Sequence, residues 1–250
     1  MAKASVQPET GADIGPSTER ARPKVGLGLK LAIRFATGVV VGAAILFVPA
    51  GTLRFWQGWA LLGVYFVPMS VAFLYFLMRD SQIVERRMER KETVGVQKLL
   101  IGLAMPAFVA VLLLPGFDYR WGWSRNLFGR VPTWLTLVSL ALVLSGFLFV
   151  FWVINVNRFA ARTIRVEAGQ TVISTGPYRW VRHPMYSGSV VLWMFTPLAL
   201  ASYVALPAFA LLIPFYVIRL LNEEKVLQQE LSGYAEYCLR TRNRLVPFVW

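Results

Sequence analysis

Six apolar runs, each close to the length of a bilayer crossing, follow one another between residues 31 and 221 and constrain the fold more than any other feature. A hydrocarbon core about 30 Å thick takes roughly 20 helical residues. The runs extend from about Leu31 to Ala50, Trp56 to Met78, Leu99 to Leu114, Pro132 to Ile154, Pro184 to Ala201 and Tyr203 to Leu221, with Ser202 near the turn of the last two. Lipid offers no hydrogen bonds, so a spanning segment must satisfy its own backbone as a helix unless a barrel closes around it. Runs of this length imply an all-α polytopic membrane protein of about six transmembrane helices, the last two forming a tight hairpin. Composition agrees, with 56% hydrophobic and only 16% charged residues, against about 25% charged in an ordinary soluble domain.

The basic residues set the orientation, because Lys and Arg stay preferentially on the cytoplasmic side. The chain through Arg34 carries six, Arg79 to Lys98 six, Arg158 to Arg182 five and Arg219 to Arg244 five, whereas the opposite face has Arg54, Arg120, Arg125 and Arg130. Twenty-two against four places both termini in the cytoplasm, with Trp121 and Trp123 anchoring the far interface. In a bacterium the membrane would be the plasma (inner) membrane. The net charge of +13 thus reads as topology and anionic-lipid contact, not as a nucleic-acid surface, since the charge sits in short segments between apolar runs.

Residues 1–24 are polar and lack the apolar core of a signal peptide, so they read as a disordered cytoplasmic tail. Residues 25–154 hold the first four spans, and residues 155–250 form a region of different character. The single cysteine, Cys238, excludes an intrachain disulfide and reads as a small packing residue. Glu85, Glu89 and Glu92, interleaved with Arg86, Arg87 and Arg90, read as a solvated helix face. No internal repeat relates the two halves, which speaks against many transporter architectures.

Informative polarity is concentrated after the fourth span. Residues 170–188 read QTVISTGPYRWVRHPMYSG. Gly176-Pro177 is a turn signal, and Pro184 suits the first turn of a helix, where its missing N–H costs nothing. His183 then stands at a helix start, whose exposed N–H groups make an anion site. Tyr178 and Tyr186 offer aromatic faces to a flat heterocycle or a cation. On the sixth span Arg219 and Glu223 are four residues apart and share one helix face at the membrane boundary. Ionisable groups at that depth usually face a protein interior or a wet cavity. The bland alternative makes Arg219 a snorkelling flank, Glu223 its surface partner and the tyrosines belt residues. His183 has no second His or Cys at ligand spacing, so no metal site is expected. Gly26-Leu27-Gly28 follows no strand and is no dinucleotide loop.

The segment GPYRWVRHPMYSG, the pair Glu223-Glu224 and the stretch GYAEYCLRTRNRLVPF resemble the isoprenylcysteine carboxyl methyltransferase and phospholipid methyltransferase superfamily of membrane enzymes, over about Phe159 to Phe248. The resemblance implies S-adenosylmethionine as cofactor, in a cytoplasm-facing pocket, with a lipid-linked substrate entering from the bilayer. It implies cofactor contacts from Gln170, Thr171, Val172, Ile173 and the turn at Gly176, from Tyr178, from His183, Pro184, Met185 and Tyr186, and from Glu223 and Glu224. Arg219 corresponds to the arginine that faces substrate, and Arg219 and Glu223 are the catalytic pair. Arg182 belongs to the motif without an assigned role, and Gln170 stands where other members have His.

The activity expected is methyl transfer to a lipophilic or lipid-linked acceptor at the cytoplasmic membrane face, most like isoprenylcysteine carboxyl O-methylation. Phospholipid amine N-methylation and methylation of a small thiol are alternatives, and a transporter or non-catalytic scaffold is the alternative from another class. Membrane lipid and the lipophilic substrate are the partners implied, and nothing calls for nucleic acid or an obligate protein partner.

Overall fold

A computed structural model of the chain describes residues 25–79, 95–157, 159, 166 and 169–250. The tail 1–24 and the charged face around Glu85 to Glu92 lie outside the described residues. Within them the chain is helical and has no strand. In chain order the helices are α1 (Val25–Ala50), α2 (Trp56–Arg79), α3 (Gly95–Trp121), α4 (Trp123–Phe128), α5 (Thr133–Val156), α6 (Pro184–Ala199), α7 (Ala205–Ala210), α8 (Ile213–Glu230) and α9 (Tyr234–Arg240), with a 3-10 turn at Gly176–Arg179 before α6.

Four segments among the described residues are long and apolar enough to cross a membrane: Ala32–Ala50, Trp56–Arg79, Thr133–Val156 and Ala205–Glu230. They coincide with the first, second, fourth and sixth apolar runs. Their outward faces are apolar, with Val40, Val48, Val67 and Met78 between 63% and 88% exposed. Such surface would be a liability in water but is the expected face toward lipid. The third run falls within α3, which has 27 residues. The fifth forms α6, whose 16 residues give about 24 Å of rise, less than one hydrocarbon core.

Among the described residues the most extensive helix pairing is α5 with α6, not the hairpin of the last two runs. Glycine explains it. A Cβ placed on Gly188 would lie 2.7 Å from Val150 Cγ2 and 3.1 Å from the Gly146 carbonyl oxygen, and one on Gly146 would lie 3.0 Å from the Gly188 carbonyl oxygen. Two facing glycines thus bring the backbones of α5 and α6 together, as small residues do in membrane helix pairs. The sixth run is itself interrupted at Leu211-Leu212, between Pro207 in α7 and Pro214 in the first turn of α8. Helix α8 then continues nine residues past the expected end at Leu221, carrying Glu223 and Glu224 beyond the apolar stretch.

At the end of α3 away from this polar extension, the buried Asp118 carboxylate accepts the Ser124 N–H at 2.7 Å and the Ser124 hydroxyl. The Ser124 hydroxyl oxygen in turn accepts the Val204 N–H at 3.0 Å, tying α4 to the connection between α6 and α7. Phe55, Val143, Val153, Phe209 and Leu220 are fully buried among the helices.

Candidate functional site

The polar ends of α5, α6 and α8 meet the segment that follows α9. Gly176 takes φ +58°, which permits the tight 3-10 turn, and packs against Val156 at the end of α5. Past that turn the chain is held by its own later residues. The Arg182 N–H donates to the Asn243 carbonyl at 2.9 Å and the His183 N–H to the Arg244 carbonyl at 3.0 Å. The Ser187 hydroxyl donates to the Leu245 carbonyl at 2.5 Å. Residues 243–245 therefore lie across the start of α6 as a clamp. This corrects the expectation of free amides there, because the His183 N–H is committed to Arg244 and Pro184 has none to offer.

Glu224 fastens the same region from α8. Its Oε1 lies 3.1 Å from Arg182 Nη1 and 3.3 Å from His183 Nε2, and its Oε2 lies 2.8 Å from Arg244 Nε. Both carboxylate oxygens are engaged and the side chain is 5% exposed. Arg244 also covers the Trp250 ring, with 5.3 Å from Cζ to the ring centroid. One carboxylate thus joins α8, the start of α6 and the clamp.

Glu223, the adjacent residue, points elsewhere. It accepts the Tyr186 hydroxyl at 2.8 Å, and Arg219, one turn earlier on α8, is within hydrogen-bonding reach of the same hydroxyl. The Tyr186 hydroxyl thus meets both the Arg219 guanidinium and the Glu223 carboxylate. Toward the bilayer side its ring meets Tyr216 edge-on at 6.1 Å, Tyr216 meets Phe108 at 6.1 Å, and Phe108 meets Trp193 at 4.7 Å.

These elements surround a cavity of about 780 Å³, its open mouth included. Its wall contains Gln170, Thr171, Val172, Ile173, Tyr178, His183, Pro184, Met185, Tyr186 and Glu223, all singled out from the sequence. Gly176, Glu224 and Arg219 stand outside the wall: Gly176 makes the turn, Glu224 the ion cluster, and Arg219 reaches the Tyr186 hydroxyl. Arg182 lines the cavity as well.

The wall also holds residues that the sequence reading missed: Asn157, Phe159, Leu227, Leu231, Tyr234 and Tyr237. Asn157 Nδ2 donates to the Tyr178 hydroxyl at 2.8 Å, and the Tyr237 hydroxyl donates to the Tyr178 carbonyl at 2.7 Å, so both fix Tyr178. Burial pushes the Tyr234 and Tyr237 phenols well above their ordinary range, with the nearby Glu224 charge adding to the effect at Tyr234. Both are neutral donors at physiological pH. Among the described residues, the Tyr234 hydroxyl and Arg182 Nε are buried without a hydrogen-bond partner. The repeated tyrosines of GYAEY were the available signal, since buried tyrosines usually carry their hydroxyl to a partner.

The family model described as Phospholipid methyltransferase matches residues 134–232. The chain is also 29% identical over 143 residues to Protein-S-isoprenylcysteine O-methyltransferase B of Arabidopsis thaliana, a match covering 56% of this chain and 66% of the plant protein. The family match takes in α5, the motif strip, α6 and α8, and stops before Tyr234 and the clamp.

Proposed function

We propose that this chain is a member of the isoprenylcysteine carboxyl methyltransferase and phospholipid methyltransferase superfamily and transfers a methyl group from S-adenosylmethionine to a lipophilic or lipid-linked acceptor at the cytoplasmic face of a six-span membrane protein, a reading those similarities support. The observation that carries the reading is the convergence, in one cavity, of the strip 170–173, Tyr178, the run His183 to Tyr186 and Glu223. Glu223 lies 37 residues beyond Tyr186 in the chain, and the fold brings it to the strip.

The residues fit the methyl donor. Tyr178, braced by Asn157 and Tyr237, offers a fixed aromatic face for the purine, and Glu223 a carboxylate for the ammonium. When bound, S-adenosylmethionine supplies an electrophilic methyl on a sulfonium. The task of the protein is then to align the acceptor with that methyl and to exclude water, and alignment alone can contribute about 7–11 kcal/mol. Arg219, outside the cavity wall and next to the aromatic group of Tyr216, Phe108 and Trp193, stands where an acceptor arriving from the bilayer would be held. Its guanidinium fork suits a carboxylate or phosphate.

A carboxyl acceptor, as in isoprenylcysteine O-methylation, gains most from this arrangement, because opposite charges on nucleophile and sulfonium diminish together in the transition state. Amine methylation of a phospholipid headgroup is the second reading, favoured by the description of the matched family. Incubating the purified protein with radiolabelled S-adenosylmethionine and a native membrane extract, then identifying the labelled product, tests both. A labelled methyl ester supports the first reading and a labelled headgroup amine the second. Absence of label in every lipid fraction, beside a working control methyltransferase, counts against the proposal.

A further inference from the structure

Tyr234 and Arg182 present an imbalance that the assigned contacts do not resolve. Tyr234 is 4% exposed and Arg182 9% exposed, both in the cavity wall. The hydroxyl of the first and the Nε–H of the second lack partners among the described residues. A buried polar group left in that state is destabilising, so two of them beside one cavity are a cost that a ligand would offset. Arg182 is otherwise committed, through Nη1 to Glu224 and through Nη2 to the Arg242 carbonyl at 3.2 Å, which fixes its guanidinium in place.

Charge indicates which ligand group belongs there. Arg182 and Arg244 both contact the one carboxylate of Glu224, so the cluster retains one positive charge when His183 is neutral. A guanidinium N–H only donates, and it repels an ammonium or a sulfonium. An anionic acceptor satisfies both orphan groups and the charge. The start of α6 cannot serve that anion with the His183 amide, because the Arg244 carbonyl occupies it. Glu223 is the acidic side chain in the cavity wall and so the group there that suits a cation.

Resting on the methyl-donor reading above, we propose that Tyr234 is a cofactor-binding residue whose hydroxyl, together with the Arg182 Nε–H, holds the carboxylate of the donor's amino-acid moiety. The zwitterionic end of the donor is then gripped at both charges, its ammonium by Glu223 on α8 and its carboxylate by Tyr234 on α9. The residue lies beyond residues 134–232 matched by the family model, and the assignment rests on the two orphan groups.

The test uses the detergent-purified full chain, Tyr234→Phe, and two probes: S-adenosylhomocysteine and its decarboxylated analogue. Tyr234→Phe is expected to bind S-adenosylhomocysteine roughly tenfold to a hundredfold more weakly than wild type, about 1.4–2.8 kcal/mol. The decarboxylated analogue should bind both proteins equally. Without ligand the variant should melt at or above the wild-type temperature, since phenylalanine removes a hydroxyl that had no partner. Equal affinity of both proteins for S-adenosylhomocysteine overturns the proposal, as does an equal loss for both probes, which would place the hydroxyl on another part of the ligand. A marked fall in melting temperature also overturns it, by revealing a structural partner. If the wild type binds neither probe, the methyl-donor reading itself fails, an outcome visible before any variant is compared.

Discussion

Glu223 and Glu224 are neighbours in sequence with opposite surroundings, and neutralising each should separate stability from ligand binding. Glu224→Gln removes the counter-charge of Arg182, whose side chain is 8% exposed, and gives its donors a single carbonyl in place of two carboxylate oxygens. Leaving a buried charge without its partner typically costs about 3–5 kcal/mol. Arg244, 32% exposed, contributes much less to that total, because a solvated pair is worth about 0–1 kcal/mol. Glu223→Gln keeps an acceptor for the Tyr186 hydroxyl, so the native fold should lose about 1 kcal/mol or less. It does remove the charge proposed to face the ligand ammonium, a loss on the order of 2–5 kcal/mol in binding. Thermal unfolding of the ligand-free, detergent-purified variants gives the first quantity, and calorimetry with S-adenosylhomocysteine gives the second. The expected result is a clear drop in melting temperature for Glu224→Gln alone and a near-native melt with weakened binding for Glu223→Gln. Two variants that melt together would refute the division of roles. So would undiminished affinity in Glu223→Gln.

Arg219→Lys should cut turnover by tenfold to a thousandfold, about 1.4–4 kcal/mol, with donor affinity nearly unchanged, because an ammonium cannot reproduce the guanidinium fork; full activity in a methyl-transfer assay would make Arg219 a membrane flank. Gly188→Ala would put a Cβ 2.7 Å from Val150 Cγ2, and such overpacking costs about 1–3 kcal/mol; a lowered melting temperature with weaker S-adenosylhomocysteine binding is expected, since α6 carries Tyr186. Reporter fusions after Met78 and after Trp250 should both report the cytoplasm, and opposite sides for the two would disprove the six-span topology.

The long apolar runs made α1, α2 and α5 legible because hydropathy over some 20 residues depends on no tertiary partner. The strip 170–173 and the run His183 to Tyr186 were legible through a motif, and the structure brings them to one cavity with Glu223. Pairing was not legible. Gly146 and Gly188 decide that α6 lies along α5, yet a lone glycine inside an apolar run carries no sign of its opposite number. The break at Leu211-Leu212 had Pro207 and Pro214 as signals, but membrane helices tolerate proline, so neither is decisive. Tyr234 and Tyr237 reach the site only because the chain returns to Tyr178 across 59 residues. A local reading of GYAEY shows a short helix and not what it will face. The distinction between Glu223 and Glu224 likewise depends on partners supplied from α6 and from Arg244.

The clamp of residues 243–245 also orders events during biosynthesis. The spans can partition into lipid as each leaves the ribosome, since their solvent is already present. The cavity has no such independence. Its floor at Arg182 and His183 is pinned by the carbonyls of Asn243 and Arg244, and Arg244 is backed by Trp250. A nascent chain arrested before residue 243 would therefore hold its membrane helices and lack a formed pocket. Membrane integration and formation of the cavity are separate milestones for this protein, and the second waits for residues 243–245 to be made.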